Sequence, residues 1–210
     1  MLLRKHIGNG RITSISQPKL ERIISLHIEH LNELGDLCEK KLIIEIMGKH
    51  SNIIFCDDKD MILDSIKHVS AQMSSVREVL PGRTYFIPDT MEKSDPLSVD
   101  VSSFMEILRL KPVPLGKAIY TSFTGISPVI AEDICFLAGL NSQLPASELD
   151  EDTFLHLFRQ FSYYMDDIRC CRFHPCIYYD GTSPKDFGAV ALSHFSNYTK
   201  QEFTSISEVL

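Results

Sequence analysis

The stretch EIMGKHSN, Glu45 to Asn52, decides how this chain is read. Leu42-Ile43-Ile44-Glu45-Ile46-Met47 is a short apolar run rich in β-branched residues, the signature of a strand. Ile53-Ile54-Phe55 reads as a second strand, stopped by Asp57-Asp58-Lys59-Asp60. Between them Gly48-Lys49-His50-Ser51-Asn52 are residues that turn a chain. The pattern predicts a β-hairpin whose tip carries a cation, an imidazole, a hydroxyl and an amide. Such groups hydrogen-bond phosphates, sugars or base edges. The plain alternative is a solvated turn.

Outward from the hairpin, the period changes twice. Leu2 to Ile7 reads as a helical stub closed by Gly8-Asn9-Gly10, and Arg11 to Gln17 alternates up to Pro18. Ile24, Leu26 and Ile28 alternate with Ser25, His27 and Glu29, the period of a half-buried strand. With a further strand at Met61 to Ile66, the first part of the chain is expected to be an antiparallel meander. A loop rich in proline and charge spans Pro81 to Pro96. Helices are then expected over Val101–Leu110, Leu115–Phe123, Pro128–Ala138 and Glu151–Ile168. Ser127 is placed to N-cap the third of these, with Pro128 at its first position and Gly139 as its stop. Phe154, Leu157, Phe158, Phe161, Met165 and Ile168 form a core stripe on the last. From Pro175 the reading is β again: Cys176–Tyr179, a turn at Asp180-Gly181-Thr182, and Phe187–Leu192, before a closing helix near Ser205. Pro112 and Pro114 mark the boundary before the helical block. The fold class expected is α+β, with an all-α domain inserted into a meander domain.

Composition narrows the function classes. A 44% hydrophobic share and a mean hydropathy of −0.02 fit a globular chain with a real core, and no apolar run reaches the roughly 18 residues of a membrane span. Cys38, Cys56, Cys135, Cys170, Cys171 and Cys176 lie too sparsely for a disulfide framework and read as reduced thiols. Met1-Leu2-Leu3 turns basic at Arg4-Lys5-His6, unlike a secretory signal, so a cytoplasmic protein is expected. The net charge of −7 argues against a broad nucleic-acid-binding face. It is unevenly spread, however. Residues 1–22 carry +4, and residues 131–170 carry −6.

No Walker loop, GxGxxG or nucleophile elbow occurs. Cys170-Cys171, His174 and Cys176 invite a metal reading, but adjacent cysteines point apart and no second ligand pair completes a tetrahedral site. His27 and His30, three apart on a strand, face opposite sides. No cofactor and no metal are expected. The Thr124-Gly125-Ile126-Ser127 turn could offer backbone N–H groups to a phosphate, although Glu132 and Asp133 on the following helix oppose an anion there.

EIMGKHSN resembles the signature of the NFACT family, the fibronectin-binding protein A-like proteins whose bacterial members act in ribosome-associated quality control. MLLRKH (1–6), LERI (20–23), LDSIKHVS (63–70), VLPGRTY (79–85) and GISP (125–128) resemble further family blocks, in family order. The resemblance implies an NFACT N-terminal domain over 1–111, akin to the N-terminal domain of formamidopyrimidine-DNA glycosylases. It implies an inserted helix–hairpin–helix domain over 112–174 and a return segment over 175–210. Family members have further β structure upstream and a coiled coil and RNA-binding domain downstream. The chain is thus expected to be a piece lacking its first strands, with an open sheet edge prone to association.

Function follows as an implication of the same resemblance. The chain is expected to be a non-enzymatic module that binds tRNA, alanyl-tRNA above all, and the large ribosomal subunit carrying peptidyl-tRNA. In the family an Asp-Arg pair engages tRNA; here Glu21 and Arg22 stand in its place. Glu45, Ile46, Met47, Lys49, His50, Ser51 and Asn52 correspond to the block near the tRNA anticodon stem-loop. A carboxylate there suits base edges, Ile and Met suit base faces, and Lys suits the backbone. The older family name offers a surface adhesin instead. The glycosylase kinship offers a nucleic-acid-binding relative, but that chemistry uses an N-terminal proline amine, and this chain starts Met1-Leu2.

Overall fold

The computed structural model describes residues 2–32, 34–87 and 93–210, and two compact units divide between residues 92 and 93.

The first unit is the expected meander. After helix α1 (Leu2–Ile7), strands β1 (Arg11–Ser16), β2 (Ile23–Leu31), β3 (Leu37–Glu45), β4 (Asn52–Asp57) and β5 (Ile62–Ser65) pair antiparallel in chain order. Register is set across the middle by Ser25, Ile43 and Ile54 in one row and Leu26, Leu42 and Phe55 in the next. Ile23, Ile43, Ile54, Cys56, Ile62 and Val79 form a buried core on one face, with Met47, Val69, Tyr85 and Ile87 packed against it. The alternation of Ile24, Leu26 and Ile28 points to the other face. Ile28 and Phe55 are buried there, with the His6 ring of α1 6.1 Å from Phe55, while Ile24 and Leu26 are only half-buried. Both faces of the sheet are therefore apolar, and period 2 alone did not select the main core face. Edge strand β1 is exposed along its length.

In the second unit α2 (Val101–Arg109), α3 (Leu115–Ser122), α4 (Pro128–Leu137) and α5 (Glu151–Arg169) enclose one core. Asp100, Ser127 and Asp150 cap α2, α4 and α5 by accepting from the N–H three residues on. Gly139, at φ +67°, stops α4. Phe104, Phe123 and Phe161 pack with ring centroids 4.8–5.4 Å apart. Because Phe104 and Leu108 lie in this core, α2 joins the helical block, and the break falls at 92/93 instead of the expected 111/112. The return segment also belongs to this unit. There β6 (Cys176–Asp180) pairs with β7 (Ser183–Gly188) and β8 (Thr199–Glu202), before α6 (Ile206–Val209). The strand expected at 187–192 begins earlier, because Gly181 at φ +62° closes a tight hairpin that pairs Asp180 with Ser183.

A buried polar cluster ties α4 to this segment. Asp133 Oδ1 accepts from the backbone N–H of His194 (2.7 Å) and lies 2.8 Å from its Nδ1, while Oδ2 accepts from Tyr164 Oη at 3.1 Å. Asp133, expected to oppose an anion at the turn before α4, is fully buried. Burial, then the adjacent Asp133 carboxylate, raises the Tyr164 phenol far above its ordinary range. Asp133→Ala strands the two partners in a water-excluded site and is expected to cost about 2–5 kcal/mol. A urea melt followed by circular dichroism checks this; a loss under ~1 kcal/mol would remove the cluster as a structural tie.

Burial, reinforced by Asp60 and Asp57, pushes the Cys56 thiol up to about 12; burial, then Glu132, does the same for Cys135. Cys170 and Cys171 are exposed. Iodoacetamide at pH 8 is therefore expected to alkylate Cys170 and Cys171 in the native chain. Cys56 and Cys135 should react only after unfolding, as peptide mass spectrometry reads directly.

Candidate nucleic-acid interface

Successive hairpins of a meander alternate between its two ends. The β1–β2 connection (17–22), the β3–β4 connection (46–51) and the segment after β5 (66–68) thus meet at one end. The Ile46 N–H donates to Arg22 O at 2.8 Å, joining the first two. Lys67 Nζ donates to Lys49 O at 3.1 Å, joining the second and third. Two separately read motifs, around Arg22 and around Lys49, are brought together by backbone pairing.

The last rung of the hairpin sorts the side chains. Glu45 pairs with Asn52, and with Ile23 on the other side, so all three side chains share one face. That is the main core face, and it corrects two expectations: that the Asn52 amide stands on the tip, and that the Glu45 carboxylate is open to a base edge. Glu45 is 2% exposed. Both its oxygens lie 2.6 Å from Arg77 Nη2, and Oε1 accepts from Tyr85 Oη at 3.0 Å. Arg77 is itself fixed by donating from Nη1 to Phe86 O at 2.9 Å, with its guanidinium 5.5 Å from the Tyr85 ring centre. Burial, then Glu45, raises the Tyr85 phenol above its ordinary range.

Asn52 is buried as well. Its Nδ2 donates to Lys67 O (2.9 Å), and its Oδ1 accepts from the N–H groups of Ile53 (3.0 Å) and Lys67 (2.9 Å). The tip between is a single 3-10 turn, Gly48–His50, entered with Gly48 at φ +57°. Ser51 Oγ accepts from the Met47 N–H at 2.9 Å, closing the turn, and Met47 packs half-buried on the core. Ile46, at 53% exposed, faces out, as do Lys49 and His50. Arg22 is exposed and Glu21 half-buried. Of the nine residues expected to contact tRNA, Arg22, Ile46, Lys49 and His50 thus face solvent together. Glu45 and Asn52 do not.

Sequence reasoning missed Lys67, His68, Arg77 and Tyr85. They lay within or beside the LDSIKHVS and VLPGRTY blocks, but nothing in their spacing showed that they meet the hairpin. Among the described residues, this end carries Lys19, Arg22, Lys49 and Lys67 against Glu21 and Asp64, with Asp64 2.8 Å from His68 Nε2. The opposite turns carry Asp36, Asp57, Asp58 and Asp60 with Lys59, and Lys41 Nζ lies 2.9 Å from Asp60 Oδ1.

A profile of NFACT N-terminal and middle domains matches residues 1–210. The chain belongs to the NFACT family. It is 42% identical over 145 residues to the Rqc2 homolog RqcH of Bacillus subtilis (strain 168), covering 69% of this chain and 25% of that protein. It is 37% identical over 135 residues to the Rqc2 homolog RqcH of Streptococcus pneumoniae (strain ATCC BAA-255 / R6), covering 64% and 24%. The chain thus spans about a quarter of these curated NFACT relatives. The fibrinogen binding protein from Staphylococcus aureus superposes with a TM-score of 0.78 at 27% identity, over 99% of this chain and 71% of that one. The N-terminal part of the fibronectin/fibrinogen-binding protein from Streptococcus suis gives 0.72 at 28%, over 100% and 69%. Among the described residues, no helix is long and apolar enough to cross a membrane, and no group of three or more His, Cys, Asp or Glu is placed to hold a metal ion.

Asn52 is the hub of this NFACT sheet end. Asn52→Ala removes one donated and two accepted bonds at a buried site and is expected to lower stability by about 1–3 kcal/mol. Asn52→Asp cannot donate to Lys67 O and should recover little of that. Wild-type urea midpoints for Asn52→Asp would show that the side chain is not holding the third connection.

Proposed function

We propose that this NFACT chain is the tRNA- and large-ribosomal-subunit-binding module of a cytoplasmic, ribosome-associated quality control factor. In this reading it recruits alanyl-tRNA so that an alanine tail marks the stalled nascent chain. Peptidyl transfer stays with the ribosome, and the chain selects and positions. Family membership and relatives named Rqc2 homolog RqcH support the quality-control role. The observation that carries the RNA reading is the Ile46 N–H to Arg22 O bond, which sets an exposed guanidinium beside the exposed tip. A guanidinium forks onto phosphate or stacks on a base. Ile46 offers an apolar face to an unstacked base, and Lys49 and Lys67 offer point charges to the backbone. The helix–hairpin–helix assignment of α3, its turn and α4 belongs to the same proposal.

A second reading is a fibronectin-binding surface adhesin, favoured by the names of the two superposed fibrinogen- and fibronectin/fibrinogen-binding proteins. The two readings separate in one experiment. Under the RNA reading, Arg22→Ala and Lys49→Ala each weaken binding of an alanine tRNA transcript and lower the slope of log K against log salt by about one unit. Arg22→Ala also abolishes alanine tailing of stalled chains when carried in the whole protein. Unchanged affinity and slope, with retained binding to immobilised fibronectin or fibrinogen, would replace the RNA reading with the adhesive one.

A further inference from the structure

Within EIMGKHSN the first residue stands apart, because its side chain is already committed. We propose that Glu45, together with Arg77 and Tyr85, is a positioning group that fixes the hairpin tip on the sheet and does not itself meet RNA. The inference rests on the reading of this sheet end as an RNA surface and divides that surface into contact residues and the frame beneath them.

Three observations carry it. The Glu45 side chain is 1% exposed, and Arg77 Nη2 and Tyr85 Oη already serve its carboxylate at 2.6–3.0 Å. A base offering an N–H would have to displace a charged donor in a buried site, where ionic hydrogen bonds are strongest. Secondly, Arg77 is 12% exposed at its side chain and anchored to Phe86 O, so the pair ties the last residue of β3 to the segment 77–86 from the core side. Thirdly, parity turns this inward clamp into outward geometry. With Glu45 held on the core face, Ile46 must point out, and its N–H is aligned on Arg22 O at 2.8 Å. The clamp thus sets how Ile46 and Arg22 sit beside each other.

The test compares Glu45→Gln, Arg77→Met, Tyr85→Phe and the Glu45→Gln/Arg77→Met double variant, with Arg22→Ala and Lys49→Ala as contact controls. The probes are an alanine tRNA transcript and a transcript of another specificity. Hydrogen exchange at the Ile46 amide is measured before RNA is added. Positioning predicts that the clamp variants weaken both transcripts by the same factor, on the order of tenfold, with the double variant no worse than its worse single. It also predicts faster Ile46 exchange in each clamp variant and unchanged exchange in the two controls. Tyr85→Phe, which loses one hydrogen bond, keeps the test decisive if the charge variants do not fold. Changed discrimination between transcripts in Glu45→Gln alone, or unchanged Ile46 exchange in the clamp variants, overturns the proposal. Should neither contact control weaken binding, the RNA reading of this end falls. Faster Ile46 exchange would even then uphold the clamp.

Discussion

A carboxylate taken out of water at the end of a sheet must find charge and hydrogen bonds, and in this protein that requirement organises the first unit. Glu45 sits among Ile23, Asn52 and Tyr85 with almost no solvent contact. Its neutralisation draws Arg77 and Tyr85, 32 and 40 residues along the chain, onto the core side of the meander. Without that pair the rung would hold an unpaired buried charge, which costs several kcal/mol. Val69, Val79, Tyr85 and Ile87, on the irregular chain that carries the pair, belong to the same core, and Val69 is bridged to Val79. An ionic tie is a poor source of net stability compared with packed hydrocarbon, but it is directional. Direction is what a hairpin end needs if its next residue is to face outward in one orientation.

How much of this was legible in the sequence depends on the range of the forces involved. Local chemistry was readable. The turn residues Gly48 to Ser51, the Ser127-Pro128 start and Gly139 stop of α4, and the phenylalanine stripe of α5 lie where their intrinsic preferences put them. Parity at the rung was not, since Ile44-Glu45-Ile46-Met47 is apolar around a single charge and does not say which neighbour faces the core. Nor was the status of Asp133, whose partners stand 31 and 61 residues away. Strand β8, Thr-Lys-Gln-Glu, is exposed at every position and carries no apolar period to detect. The sequence places a helix over Val101–Leu110, one residue past α2, but its membership of the helical block is decided by Phe104 meeting Phe123 and Phe161, which no local window contains.

The candidate site was legible in the same partial way. Arg22 and the tip stand out as residues, yet only antiparallel pairing makes them neighbours, and the Asn52 side chain and the Lys67 Nζ bond to Lys49 O add Lys67 to them. Net charge was a misleading guide here. An acidic total says little about a chain in which one sheet end gathers Lys19, Arg22, Lys49 and Lys67. At a Debye length of about 8 Å in physiological salt, a polyanion approaching that end responds to the local cations far more than to remote acids.

The single-residue period of a strand therefore does more than bury one face. At the rung of Glu45 and Asn52 it separates two kinds of residue that adjoin in sequence, those that hold the tip and those that the tip displays. Replacing Glu45, Ile46 and Met47 as a block would remove a buried charge, an exposed apolar contact and a core side chain together. The loss of any activity would then carry no information about which was needed. Residue by residue the three have different signatures: Glu45 changes the geometry of its neighbours, Ile46 changes a surface, and Met47 changes packing. The short motif is a unit of sequence but not of mechanism, and the physical boundary within it runs between residues 45 and 46.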